Sequence, residues 1–172
     1  MFVEHNTLLT ELKERLVSDP YWTQKLSQLG TKPFVIHLAV FVEPYLGYVL
    51  AGRKTIESRF SVKRCAPYGQ VSEGDVVLLK RSSGPIVGIC TVSIAWYYQL
   101  DPTSWQDIRR DFTTALCAQD PEFWTARAAA SFATLMRVQH VAPIAPLPFA
   151  KRDRRGWVVL SNNPGQLPLV GI

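Results

Sequence analysis

The densest chemistry in this 172-residue chain lies in Gly52-Arg53-Lys54-Thr55-Ile56-Glu57-Ser58-Arg59, whose spacing is G-x-K-x-x-E-x-R. Gly52 can adopt positive φ and lets a ligand approach the backbone. Lys54 and Arg59 supply donors for phosphate or carbonyl oxygens, and Glu57 puts an acceptor between them. A carboxylate held between two cations stays ionised; it can orient both or accept hydrogen bonds from a base edge. On strict alternation Thr55, Glu57 and Arg59 face one side of a strand, so Lys54 has to join them from a helix-to-strand corner. The same residues would also make a solvated ion-pair network of little energetic weight.

Further candidates flank this segment. Glu43 ends the apolar strand ahead of it, and Lys80-Arg81 end a later strand just before a glycine turn, a position that suits a cleft or a charged sheet edge equally. Arg64 and Tyr68, with Pro67 and Gly69, form a loop in which an aromatic beside cations could stack on an unpaired base or simply pack. Lys151, Arg152, Arg154 and Arg155, broken only by Asp153, are the densest basic run, either a phosphate track or a solvated loop. Trp96, Tyr97, Tyr98 and Trp124 are read as core. Cys65 lies beside Arg64, but a lone cysteine says little about nucleophilic chemistry. His5, His37 and His140 are too scattered for a metal triad, and no cofactor motif is present, so neither metal nor cofactor is expected.

The elements that must position these groups can be read from periodicity. Asn6 or Thr7 caps a first helix with Leu8, Leu12 and Leu16; Asp19-Pro20 starts a second that carries Trp22, Leu26 and Leu29 to Gly30. Phe34 to Val42 is an almost continuous apolar run, as in a strand buried on both faces. Glu43-Pro44 opens a short helix that Gly52 closes, and Lys54 to Phe60 is extended. Val76 to Lys80 and Ile86 to Tyr97 form a hairpin. A helix from Trp105 to Leu116 follows, another starts at Asp120-Pro121, and Ala133 to Val141 is a strand. Pro143, Pro146 and Pro148 are expected to stiffen a connection, and Trp157 to Leu160 is the last strand, with a loosely ordered tail from Ser161. Close-set strands divided by turns favour an α+β fold, a small mixed β-barrel with flanking helices, over a doubly wound sheet. The division is 1–33 as an N-terminal helical extension, 34–160 as the main domain and 161–172 as the tail.

Composition adds the setting. With 47% apolar residues the chain can bury a core, and no apolar run approaches the ~20 residues that span a bilayer. No leader or zinc-type cysteine spacing is seen, so a reduced, cytoplasmic setting without membrane contact is expected. The net charge of +5 sits in the body: residues 1–33 balance four bases against four acids, leaving 15 against 10. Such an excess attracts phosphate-bearing partners.

The motif in its context resembles the signature of the ASCH domain, named for homology to a transcriptional coactivator and similar in fold to the PUA family of RNA-binding barrels. The resemblance runs from about Phe34 to Leu160 and includes the strand ending at Glu43-Pro44, the short helix before Gly52, the Gly74-Asp75 turn and the strand ending in Lys80. It implies a basic cleft for RNA or a nucleotide-like ligand, built from Glu43, Gly52, Lys54, Glu57, Arg59, Arg64, Tyr68, Lys80 and Arg81. It also implies an alternative, since some small ASCH proteins are amidohydrolases acting on acetylated cytidine and others are ribonucleases. In the amidohydrolase type a lysine at this position works with a threonine three residues on and a later glutamate. Lys54 matches, Glu57 replaces the threonine, and Glu122 is a candidate for the glutamate; in an enzyme Lys54 and Glu57 would be catalytic. A protein partner is not indicated.

Overall fold

The computed structural model describes residues 5–29, 31–151 and 154–161; residues 1–4, Gly30, Arg152, Asp153 and the tail beyond 161 lie outside the described residues. Two helices come first, α1 (His5–Arg15) and α2 (Pro20–Ser27), then β1 (Ile36–Phe41), α3 (Tyr45–Leu50), β2 (Ile56–Ser61), β3 (Val76–Arg81) and β4 (Ile86–Gln99). There follow α4 (Pro102–Phe112), α5 (Pro121–Thr125), β5 (Phe132–Leu147) and β6 (Trp157–Ser161). The strands make one mixed sheet in the order β2-β5-β4-β3-β1-β6, parallel only between β1 and β3. This is the α+β half-barrel with flanking helices that the turn and strand pattern predicts.

Both faces of the sheet are covered, which explains the unbroken apolar run of β1. Leu38 and Leu78 pack with Leu12, Leu16, Trp22 and Leu26 of α1 and α2 on one side. Ala39, Phe41, Val77 and Leu79 pack with Leu46 and Val49 of α3 on the other. Ile56 and Leu135 join α4 and α5 in a third cluster rich in aromatic rings. Asp19 caps α2 by accepting from Trp22 N at 3.1 Å, and Asp120 caps α5 by accepting from Glu122 N at 2.9 Å.

Several boundaries differ from the sequence reading by a residue or two, and others by more. α1 already includes Asn6 and Thr7, so neither stands ahead of the helix as its cap. α4 ends at Phe112, with Leu116 buried in the turns beyond it. β5 runs through Pro143 and Pro146 to Leu147 instead of ending at Val141. The reason is that β2 pairs only with residues 132–137 of β5, and the rest of that strand has β4 on one side alone, where proline removes no ladder bond.

A buried polar chain ties three strands together. Asp75, in the turn before β3, accepts from Val35 N (2.9 Å), Ser72 N (2.9 Å) and His37 Nε2 (3.0 Å), while Trp157 Nε1 donates to His37 Nδ1 at 3.1 Å. Both His37 nitrogens are thereby assigned, with the proton on Nε2 in the neutral ring. No helix among the described residues is long and apolar enough to cross a membrane.

Candidate functional site

The corner after α3 sets the geometry. Gly52 has φ +74°, its N–H donates to Val49 O at 3.0 Å, and the next two N–H groups, of Arg53 and Lys54, donate to Tyr48 O at 2.9 and 3.0 Å. This glycine cap turns the Lys54 side chain inward, to 2% exposure. Its ammonium donates to Leu116 O at 3.0 Å and lies 3.5 Å from Glu57 Oε2. Glu57, on β2 and also buried, accepts from Arg59 Nε at 2.9 Å through its other oxygen. Arg59 Nη1 donates to Gly156 O at 3.1 Å, and its guanidinium lies over the rings of Phe41 (4.9 Å) and Trp157 (5.3 Å). Burial pushes the pKa of the Lys54 ammonium below its ordinary value, with Glu57 opposing the shift.

These three side chains line a cleft of about 260 Å³, together with Tyr45, Ser58, Phe60, Phe123 and a fourth charged group, Arg127. Arg127 follows α5 and donates through Nη1 to Phe123 O at 2.8 Å, its guanidinium 3.7 Å from the Phe123 ring centroid. Burial lowers its pKa too, while Tyr45 and Glu57 act in the opposite direction. The charged lining therefore holds three cations and one carboxylate, beside an aromatic wall. The buried Lys54–Glu57 pair is no aid to stability in itself, because desolvating the two charges offsets most of their attraction. Charged groups shifted by burial and by a specific partner, sitting in a cleft, make this cluster a functional-site candidate.

The remaining sequence-predicted residues sit elsewhere. Glu43 and Arg81 form an exposed pair at 2.9 Å beside the cleft mouth, with Glu43 also accepting from Gly47 N at 3.0 Å. Lys80 is buried and donates to Gly84 O (2.6 Å) and Arg81 O (3.2 Å), so it ties the β3-β4 turn. Tyr68 packs edge-on against Tyr97 and Phe132 with Arg64 over it at 5.4 Å, and neither lines the cleft. Glu122, exposed in the first turn of α5, does not line it either, nor does Cys65. Arg127 escaped the sequence reading. Its signal is a single cation in a run of alanines, four residues after Phe123, which puts it over that ring on one helical turn. Among the described residues no three His, Cys, Asp or Glu side chains converge to hold a metal.

The curled mixed sheet with its flanking helices is an α+β half-barrel. More narrowly, the fold is that of the ASCH domains. The ASCH protein of Zymomonas mobilis superposes with a TM-score of 0.59 at 11% identity, covering 76% of this chain and 90% of that one. A point mutant of the same protein gives 0.61 at 9% identity, over 78% and 94%. At these identities the likeness is one of fold. No family model matches the chain, and no curated protein matches it.

Proposed function

We propose that the cleft binds one nucleotide unit, free or within RNA, with its phosphate on the Arg59 and Arg127 guanidinium groups and its base against Tyr45, Phe60 and Phe123. The observation that carries this is the excess of cation, with Lys54 buried and Arg59 and Arg127 half-buried, around an aromatic wall in a cleft of about 260 Å³. The Lys54 ammonium is already bound to Leu116 O and Glu57, so its part is to hold Glu57, which in turn orients Arg59. Residues 34–160 form the binding unit in this reading, with α1 and α2 packed onto it. A reduced cytoplasmic setting suits it, Cys65, Cys90 and Cys117 all being free thiols.

Titration calorimetry with the four nucleoside 5′-monophosphates and their nucleosides tests the reading. Arg127→Ala is expected to weaken monophosphate binding about tenfold or more, since a hydrogen bond to a charged group is worth roughly 1.5–3 kcal/mol, and to leave nucleosides alone. A wild type that binds none of the monophosphates would overturn it.

One observation favours hydrolysis of acylated nucleosides as a second reading: Lys54 is buried at 2% exposure beside Glu57 in the cleft, and that burial lowers its pKa in the direction a lysine base or nucleophile needs. Ser58 supplies a hydroxyl in the cleft where position 57 has none. Turnover by the wild type that disappears in Glu57→Gln, with binding retained, is the result that selects it.

A further inference from the structure

We infer that the cleft takes its nucleotide from within a single RNA strand, and that a basic ledge at Arg154, Arg155 and Arg81 holds the neighbouring phosphates. This rests on the nucleotide reading of the cleft and adds the form of the ligand. Val40, Phe41 and Val42, the end of β1 and the residue after it, line the cleft. On one side of that end, the β1-β3 register sets Arg81 beside Phe41. On the other, Trp157 pairs with Ala39 and Gly156 O accepts from Val40 N at 2.9 Å, so the chain entering β6 carries Arg155 and Arg154 past Phe41 and Val42. Arg59 Nη1 anchors this same segment to the charged cluster through Gly156 O.

The ledge therefore borders the cleft through backbone pairing, whatever rotamers its side chains adopt. Arg154 and Arg155 are exposed, and Val42, 59% exposed, offers apolar surface between the two basic segments. Glu43 pairs with Arg81 at 2.9 Å. A free mononucleotide held by Arg59 and Arg127 has no phosphate left for this ledge; a strand has one on either side. Charges beside an edge strand also discourage sheet-to-sheet pairing, and the experiment separates the two roles.

Binding of nucleoside 5′-monophosphates and of a mixed-sequence single-stranded RNA of about eight nucleotides is measured across a salt series for the wild type and for Arg154→Glu/Arg155→Glu. Loss of two phosphate contacts predicts roughly a 25-fold weaker RNA complex at about 0.1 M salt and a log-log slope shallower by about 1.4. Monophosphate affinity is expected to stay within about twofold of wild type, since neither arginine lines the cleft. RNA bound no more tightly than monophosphates by the wild type, or bound equally by the double variant, overturns the inference and leaves the cleft reading standing. Binding of neither ligand by the wild type removes both. Arg154→Gln/Arg155→Gln, expected to show a smaller loss in the same direction, serves if charge reversal disturbs β6.

Discussion

Glu57 commits both carboxylate oxygens within the protein, one to Arg59 and one toward Lys54, and a carboxylate so engaged orients cations better than it abstracts protons. Lys54 carries the electrostatic cost of that arrangement. Its folded-state pKa is depressed, so the unfolded chain holds that proton more firmly. Folding is disfavoured by the whole shift at pH below the depressed value, and stability rises with pH from there up to about 10.4, the ordinary lysine value. In urea melts from neutral pH to about pH 10, wild type is expected to gain stability relative to Lys54→Met; a pH-independent difference would show that burial does not perturb this amine. Lys54, Glu57 and Arg59 were legible because they sit within six residues of each other at motif spacing. Arg127 was not, since it reaches the cleft only through the packing of α5, a contact that local sequence does not encode. Lys80 suited a cleft or a charged sheet edge equally in sequence and is a buried turn clamp, because β3 is covered on both faces through that residue and its ammonium reaches the carbonyls of the turn that follows.

Among elements, the α3 corner was the most readable and is the most sensitive. Gly52 meets nothing within 4 Å where a Cβ would go, so its requirement is conformational, the positive φ. Gly52→Ala is expected to cost about 1 kcal/mol and to loosen Lys54, lowering both the midpoint of thermal unfolding and monophosphate affinity. Unchanged values for both would show that the corner tolerates another backbone conformation. The turn before β3 depends on a side chain instead. Asp75→Asn replaces an oxygen that accepts from N–H groups by a donor, and leaving a buried donor unpaired costs roughly 1–3 kcal/mol, measurable by denaturant melts. The Gly74-Asp75 turn was visible in sequence, but its bond to His37 was not, because 38 residues separate the two and only the parallel pairing of β1 and β3 brings them together.

At the scale of the whole molecule, Arg59 does what no ladder bond does. β2 and β6 are opposite edges of the six-stranded order, yet Arg59 on β2 bonds the carbonyl of Gly156 just ahead of β6 and covers Trp157 within it. The sheet curls until its two edges meet at this guanidinium. Arg59→Lys keeps the charge and loses the fork, so hydrogen exchange is expected to speed up at β6 amides while those of β4, in the middle of the sheet, stay protected. Uniform exchange changes would show that the seam is held by other contacts. The apolar and turn pattern foretold the barrel class; its closure by one side chain could not be foretold, since Arg59 and Gly156 lie 97 positions apart.

That closure makes Arg59 a shared component of two equilibria, opening of the seam and occupancy of the cleft. By linkage, a ligand that grips the closed arrangement raises its stability by the same free energy that opening subtracts from the ligand's affinity. In the proposed complex the barrel and its ligand therefore report on each other: strain applied at β6 is felt as faster ligand release, and the bound nucleotide as a tighter edge.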